Sequence, residues 1–172
     1  MAHAGNVVLT DEIDSYMLGP ALELFEDPTG MLSVADVADP GFAGPFRRSG
    51  LQIPSPGLSR SAWWARIDFD TTVAPERVWY LVHRQAITDR ISVFVPRPDG
   101  GWTSLHGGLL SNEHFFHLDH RYWVFPVTLP AGSDVSVYVR VENRDNIILP
   151  LALQTVDALY RADRVEQLLF GA

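Results

Sequence analysis

Hydrophobic and polar residues alternate along several short stretches of the chain, and the clearest of these is AWWARIDF at residues 62–69. Successive side chains of a β-strand point to opposite faces, so the two adjacent tryptophans cannot point to the same side. One set of alternate positions is apolar and is predicted to face the core: Trp63, Ala65, Ile67 and Phe69. The other set is predicted to face outward and combines an exposed indole with charge: Trp64, Arg66, Asp68 and Asp70.

Short apolar or alternating runs recur along most of the chain and predict further strands at 6–9, 21–25, 77–84, 90–96, 121–129, 134–142 and 147–154. Turn sequences rich in Gly, Pro and Asp separate these runs, among them DPTG, PSPG and PDGG. Many short strands with such turns between them predict an all-β protein, either a sandwich or a barrel.

Two stretches depart from the strand pattern. Residues 32–40 predict one helical turn, with Ser33 as the N-cap. Residues 157–172 have helical periodicity, with Asp157 as the predicted N-cap and an apolar stripe at Ala158, Ala162, Val165 and Leu169. Two interpretations of this helix stand side by side: it packs against the sandwich, or it is a connector that leads the chain elsewhere.

Composition narrows the classes of function. The 172 residues include 13 basic and 21 acidic ones, a net charge of −8, which argues against nucleic acid as a partner. The absence of cysteine excludes disulfides and thiolate chemistry. The longest apolar runs, such as IILPLAL, fall far short of the roughly 20 residues of a membrane-spanning helix. The first residues, MAHAGNVV, lack the basic and apolar regions of a signal peptide.

Aromatic and charged side chains are predicted to share the outward face of the sheet. The run at 134–142 repeats the layout of 62–69, with valines on one face and Ser136, Tyr138, Arg140 and Glu142 on the other. If the strands lie in one sheet, they form a platform from Trp64, Arg66, Asp68, His83, Arg121, Tyr138 and Arg140. Aromatic rings stack on the apolar faces of sugars, and charged groups bind hydroxyls, so the platform suits a carbohydrate or another small polar ligand.

Two other interpretations of this face remain open. In the first, a loop covers Trp64, and Arg66 pairs with Asp68 or Glu142 across the sheet. In the second, the face docks a protein partner or a second copy of the chain as a homodimer, since Trp, Tyr and Arg are also enriched in protein interfaces.

Four motifs in a fixed order resemble a bacterial family: LFEDPTGMLSVADV, SRSAWWARIDF, RYWVFPVTLPAGSDVSVYVRVEN and ILPLAL. The resemblance is to the type 2 extracellular sensor domain of seven-transmembrane receptors with diverse intracellular signalling modules (7TMR-DISM), and it covers about residues 7–155. It implies a jelly-roll β-sandwich over 1–155, similar to carbohydrate-binding modules, and a helical connector over 156–172 toward a membrane segment. A detached carbohydrate-binding module of a secreted enzyme shares this fold.

The same resemblance implies a function. The domain is expected in the periplasm, tethered to the inner membrane within the full-length receptor, where it senses a ligand. The positions that match the ligand-facing tryptophan and arginine of the family are Trp64 and Arg66, with Arg121 and Arg140 on neighbouring strands.

Some members of the family are thought to respond to calcium, and the oxygen donors expected here are Glu26, Asp27 and Asp145. The alternative is a solvated turn in which an Asp caps the backbone. The histidines at 114, 117 and 120 beside Asp119, with His106 upstream, suggest zinc, but their spacing aligns them on neither a helix nor a strand. No GxSxG elbow and no phosphate-binding glycine loop is present, so we expect a binding protein and not an enzyme.

Overall fold

The computed structural model describes residues 6–112 and 121–170. Their elements are, in chain order, β1 Val7–Val8, β2 Ser15–Met17, a 3-10 turn at Gly19–Ala21, β3 Glu23–Asp27, α1 Val34–Val37, β4 Arg47–Arg48, β5 Gly57–Leu58, β6 Ala62–Asp70, β7 Arg77–His83, β8 Arg90–Pro96, β9 Trp102–Gly107, β10 Trp123–Leu129, β11 Asp134–Glu142, β12 Asn146–Ile147, β13 Leu151–Gln154 and α2 Val156–Phe170. Every run predicted as a strand overlaps one of these strands.

Two sheets form a sandwich. Sheet A has the order β4-β3-β6-β11-β8-β9, with β1 parallel to one end of β6, and sheet B has the order β10-β7-β13-β2. The chain crosses between the sheets after β1, β2, β6, β7, β9, β10 and β11. Repeated crossing between two mostly antiparallel sheets is the jelly-roll arrangement, so the predicted fold class is confirmed.

The core between the sheets is built from the inward positions of both. Ala65, Ile67 and Phe69 of β6 are fully buried there, as the alternation of AWWARIDF predicts. Trp79 of sheet B is 1% exposed in the same core, and Phe125 is 0% exposed. The period of two residues thus places an apolar side chain in the core at every second position of the long strands.

A smaller apolar cluster lies on the outer face of sheet A. The segment between β3 and β4, residues 28–46, crosses this face, and we call it the cover. Its short helix α1 begins after Ser33, whose hydroxyl accepts a hydrogen bond from the Asp36 N–H (3.3 Å), so the predicted N-cap is confirmed. Residues of the cover and of the sheet pack together in this cluster: Val34, Val37, Phe42, Phe46, Trp64, Phe94 and Tyr138.

The C-terminal helix is also confirmed, but its cap and its buried side differ from the prediction. Thr155, not Asp157, caps α2, because its hydroxyl accepts a hydrogen bond from the Ala158 N–H (3.3 Å). Leu159 packs on Val82 and Val124 at the outer face of sheet B. Later members of the predicted apolar stripe are exposed, Leu169 by 70%. Within the described residues, no helix has the length and apolar character needed to cross a membrane.

Candidate functional site

Trp64 lies on the outer face of sheet A, as predicted, but it is 0% exposed. Val34 and Val37 of the cover belong to its apolar cluster, and the Phe94 ring stacks on the indole with ring centroids 5.6 Å apart. The prediction that the indole is exposed is therefore wrong, and the alternative in which a loop covers Trp64 is confirmed. The apolar side chains of the cover remove this ring from solvent, so a ligand has no access to it in this arrangement.

Five of the predicted platform residues do lie together on the outer face of β6 and β11: Trp64, Arg66, Asp68, Tyr138 and Arg140. Arg66 is the cross-strand partner of Tyr138, and Asp68 is the partner of Ser136. Arg66 forms an ion pair with Glu23, and its Nε lies 3.8 Å from an Asp68 carboxylate oxygen. Burial alone would lower the pKa of the Arg66 guanidinium, but the charges of Asp68 and Glu23 outweigh burial and leave that pKa raised. The guanidinium is thus already matched by two carboxylates.

Arg140 holds the cover in place. Its guanidinium donates a hydrogen bond to the Gly30 carbonyl oxygen (2.8 Å) and forms an ion pair with Glu142 (2.5 Å). Its Cζ also lies 5.8 Å from the centre of the Trp64 ring, within the range of a cation–π interaction. Because its charged group makes these contacts, the Arg140 side chain links β11 to the cover.

The structure places His83 and Arg121 on sheet B, so the prediction of one shared platform is wrong for both. His83 is 0% exposed and shares the inward-facing parity of Trp79 and Leu81 in β7. Arg121 precedes β10 and forms an ion pair with Glu166 of α2. The chain leaves sheet A after β6 and returns repeatedly, and the pattern within a single strand carries no information about these crossings.

His83 is held as a neutral imidazole. The Thr88 hydroxyl donates its hydrogen to the Gln85 carbonyl oxygen (3.2 Å), so it accepts from the His83 Nε2–H, 3.0 Å away. Nδ1 is buried and has no hydrogen-bond partner among the described residues. Protonation would place a charge on this nitrogen without an acceptor, and burial accordingly lowers the pKa of His83 to about 3.

We expect His83 to make the stability of the domain depend on pH. The unfolded chain takes up a proton near pH 6.5, whereas the folded imidazole does so only near pH 3. The free energy of unfolding should therefore fall as the pH drops below 6.5, by about 2 kcal/mol at pH 5. Urea unfolding of the wild type and of His83→Met between about pH 5 and pH 8 measures this contribution.

The variant isolates the titration of this one side chain. His83→Met is expected to be less stable than the wild type at every pH. Above pH 5, its free energy of unfolding should depend much less on pH, because the other histidines are common to both proteins. An equal slope in both proteins would contradict the assignment.

The three predicted calcium donors do not form a group. Glu26 and Asp27 are adjacent in β3 and therefore point to opposite faces, and Asp145 lies in the turn between β11 and β12. Among the described residues, no group of three His, Asp or Glu side chains could hold a metal ion. Calcium binding itself stays a prediction. The histidines at 114, 117 and 120 lie outside the described residues.

A cleft of about 590 Å³ lies beside Trp63, the other tryptophan of the pair, and we call it the Trp63 cleft. Trp63 faces inward from β6 but lies at the margin of the core, where it is only partly buried. β3 and β4 border the cleft on one side, and residues 49–56 border it on the other. Its volume is typical of sites for small ligands.

A chain of hydrogen bonds fixes the orientation of the Trp63 indole. Its Nε1–H donates to the Ser59 hydroxyl (3.1 Å), and this hydroxyl donates to a Glu26 carboxylate oxygen (3.3 Å). Ser61 donates to the same Glu26 oxygen (2.7 Å). A half-buried ring whose polar edge is satisfied presents its apolar surface in one defined orientation.

The cleft is locally basic in an acidic chain. Arg47 and Arg48 line it, and Glu26 is the one carboxylate among its described lining residues, whereas the whole chain has a net charge of −8. Arg48 donates from Nε to the Pro20 carbonyl oxygen (3.1 Å). Arg47 is exposed, and its side chain has no hydrogen-bond or ion-pair partner among the described residues. Its five N–H donors are therefore available to a ligand.

The opposite wall is pinned to the rest of the domain. The Leu149 N–H donates to the Pro54 carbonyl oxygen (2.9 Å), and the Ser49 N–H donates to the Leu22 carbonyl oxygen (2.9 Å). The chain also passes so close to Gly19 that a Cβ there would lie 1.9 Å from the Gln52 carbonyl oxygen. Prolines at 45, 54 and 56 stiffen the lining, so the cleft is formed without a ligand.

A second cavity, of about 670 Å³, lies among β8, β10 and β11. Its described lining residues include no aromatic side chain, and its arginine, Arg97, forms an ion pair with Asp99 (3.0 Å). Size alone therefore does not distinguish the two cavities. An oriented indole, together with a guanidinium that has no partner among the described residues, makes the Trp63 cleft the candidate site.

Comparison with known proteins assigns the chain to a family. The model of the family described as 7TMR-DISM extracellular 2 matches residues 19–155, a range that contains both tryptophans of β6 and every residue of the Trp63 cleft. The chain belongs to this family. No curated protein matches it.

Family membership gives the coarse function and location. A 7TMR-DISM extracellular 2 domain is the extracytoplasmic sensor domain of a membrane receptor. The resemblance drawn from the four sequence motifs is thereby confirmed. In this 7TMR-DISM extracellular 2 domain, an open cleft lies beside Trp63, whereas Trp64 is buried.

Reasoning from the sequence missed Trp63, Arg47 and Arg48 as residues of the candidate site. The alternation correctly predicts that Trp63 faces inward, but a side chain that faces inward at the margin of the core is only partly buried. The doublet of arginines in PFRRSG and the prolines of QIPSPG were available as signals. Nothing local relates them to Trp63, because β4 reaches the tryptophan only through the pairing of β3 with β6.

Proposed function

We propose that this extracytoplasmic sensor domain binds a small polar ligand, with a carbohydrate as the best fit, in the Trp63 cleft. The observation that carries the proposal is the oriented, half-buried Trp63 indole beside Arg47, which has no partner among the described residues. Each arginine of the originally predicted platform is already paired, with Glu23, Glu142 or Glu166.

Carbohydrate chemistry matches this lining. A pyranose has one face of C–H groups that packs on an aromatic ring, and its hydroxyls both donate and accept hydrogen bonds. Arg47 supplies donors, and Glu26 supplies acceptor oxygens. Glu26 is held by Ser59 and Ser61 and is the sole carboxylate among the described lining residues, so we assign binding and not catalysis.

The cover gives such a ligand a route to a conformational signal. Residues 28–46 lead directly into Arg47 and Arg48 of β4, so the wall of the cleft and the cover are one continuous segment. A ligand shifts a conformational equilibrium only through different affinities for its two states. A ligand held by Arg47 favours the states in which β4, and with it the cover, is docked.

Thermal unfolding with a panel of neutral and acidic mono- and oligosaccharides, with calcium and with chelator, tests the proposal. A saccharide at about 100 times its dissociation constant should stabilise the protein by about 2.7 kcal/mol, a rise in Tm of about 5–10 °C. We expect this rise in the wild type and in Trp102→Ala, a matched loss of a half-buried tryptophan outside the cleft. Trp63→Ala should abolish it.

Each protein is compared with its own unliganded transition, so a lower starting stability does not affect the result. A rise that survives Trp63→Ala would place the ligand elsewhere. If no saccharide shifts any transition, the proposal fails and the surface is better explained as a docking site for a protein.

A further inference from the structure

We infer that the ligand of the Trp63 cleft is an anionic saccharide of the uronic acid class, with Arg47 pairing with its carboxylate. The inference rests on the proposed function and adds the chemical class of the ligand and the residue that selects it. Three observations carry it: the charge of the cleft, the lack of a partner for Arg47 among the described residues, and the position of Arg47 relative to the indole.

The charge of the cleft is opposite to that of the protein. Two arginines face one glutamate among the described lining residues, in a chain of net charge −8. Neutral sugars need no such excess of positive charge, because hydroxyl groups are satisfied by neutral donors and acceptors. A carboxylate matches a guanidinium through two parallel N–H···O bonds, which makes arginine the residue best suited to select it.

Arg47 and Trp63 lie on the same face of sheet A. Arg47 is the cross-strand partner of Leu24, and Glu26, two positions along β3, is the partner of Trp63. Partners in a pair of strands share a face, and so do residues two apart, so Arg47 and the indole border the same space across β3. A pyranose packed on the ring therefore has the guanidinium at one margin and Glu26 at another.

Isothermal titration calorimetry with matched sugar pairs tests the inference. Glucuronic acid and glucose, or galacturonic acid and galactose, differ by a carboxylate in place of a hydroxymethyl group, and short oligomers of each extend the contact. We expect the acidic sugar to bind at least about tenfold more tightly than its neutral counterpart. This preference should weaken as the salt concentration rises.

Arg47→Gln should weaken binding of the acidic sugar by about tenfold more than binding of its neutral counterpart, so that the acid-to-neutral ratio falls toward one. Arg60→Gln is the matched control: it removes the same charge from another exposed arginine, which lies outside the cleft and has no side-chain partner among the described residues. Arg47→Lys should give an intermediate ratio, because it keeps the charge but not the fork of donors.

The outcomes separate the two proposals. Equal affinity for acidic and neutral sugars, unchanged by Arg47→Gln, would overturn the inference and leave carbohydrate binding intact. An acid preference that Arg47→Gln and Arg60→Gln reduce equally would also overturn it, since the effect would then come from overall charge. If neither sugar of any pair binds, the inference falls together with the proposed function.

Discussion

Replacing Trp64 by alanine is expected to lower the free energy of unfolding by about 3–5 kcal/mol, the usual cost of deleting a fully buried large aromatic side chain. The indole is 0% exposed and stacks on Phe94, and the cover packs on it through Val34 and Val37. Its loss leaves a cavity under the cover and removes the ring beneath the Arg140 guanidinium. Urea unfolding followed by far-UV circular dichroism measures the change.

Trp64→Phe is the matched control for this prediction. Phenylalanine keeps an aromatic ring against Phe94 and removes the Trp64 Nε1–H, which is buried and has no partner among the described residues. We expect it to cost less than half as much as alanine. If Trp64→Ala lowers the free energy of unfolding only slightly but abolishes saccharide binding, Trp64 would belong to a ligand site and not to the core beneath the cover.

Replacing Asp27 by alanine is expected to lower the free energy of unfolding by about 3 kcal/mol. Asp27 is 1% exposed, and its carboxylate accepts four hydrogen bonds at the start of the cover. The donors are the N–H groups of Thr29 (3.1 Å), Gly30 (3.0 Å) and Leu32 (3.1 Å), and the Thr29 hydroxyl (2.6 Å). The turn also needs Gly30, whose φ of 64° lies in the left-handed region that favours glycine. Alanine leaves these donors without an acceptor.

Asp27→Asn separates the two oxygens of the carboxylate. The amide keeps an acceptor where Oδ1 binds Thr29 and Gly30 but places a donor where Oδ2 accepts from Leu32. We expect a loss of about 1–2 kcal/mol, between those of the wild type and Asp27→Ala. Equal losses for both variants would mean that the charge, and not the geometry of the turn, is what matters.

The same variants address calcium and pH. Burial alone would raise the pKa of Asp27, but hydrogen bonds from Thr29, Leu32 and Gly30 outweigh it and hold that pKa below its ordinary value of 3.8. The stabilisation is therefore present above about pH 4 and is lost as the carboxylate is protonated at lower pH. Because this carboxylate already accepts four hydrogen bonds, we expect Asp27 not to bind calcium, so that any rise in Tm with calcium persists in Asp27→Asn. A rise with calcium that Asp27→Asn abolishes would contradict this.

Together these residues make the cover part of the folded domain. Asp27 accepts hydrogen bonds from the first turn of the cover, Arg140 donates one to Gly30, and Trp64 packs beneath the cover. Its far end leads directly into β4, where Arg47 borders the Trp63 cleft. A ligand in that cleft therefore acts on a segment that is packed well enough to have a defined docked state.

The amino-acid sequence by itself determined most of the long strands, though not β9 or the short strands β2, β4 and β5, and the face to which the side chains of the long strands point. The alternation of AWWARIDF correctly placed Ala65, Ile67 and Phe69 in the core and Trp64 on the opposite face. The N-cap at Ser33 could be predicted from the sequence, because Asp36, which completes the capping box, lies only three residues away. The four family motifs likewise sufficed for the jelly roll and the sensor class. All of these are local signals or signals of order along the chain.

Only the tertiary structure decided which face meets solvent and which arginines have partners. Trp64 is buried because the cover crosses its face, held by a hydrogen bond between Arg140 and Gly30, which are 110 positions apart in the chain. Trp63 borders a cleft because β4 pairs with β3, and β3 pairs with β6. His83 and Arg121 lie at sheet B because the chain crosses between the sheets before β7 and before β10, and no local sequence pattern predicts these crossings. Periodicity fixes the direction of a side chain relative to its own strand, whereas its exposure depends on contacts between distant segments, which a local pattern does not encode.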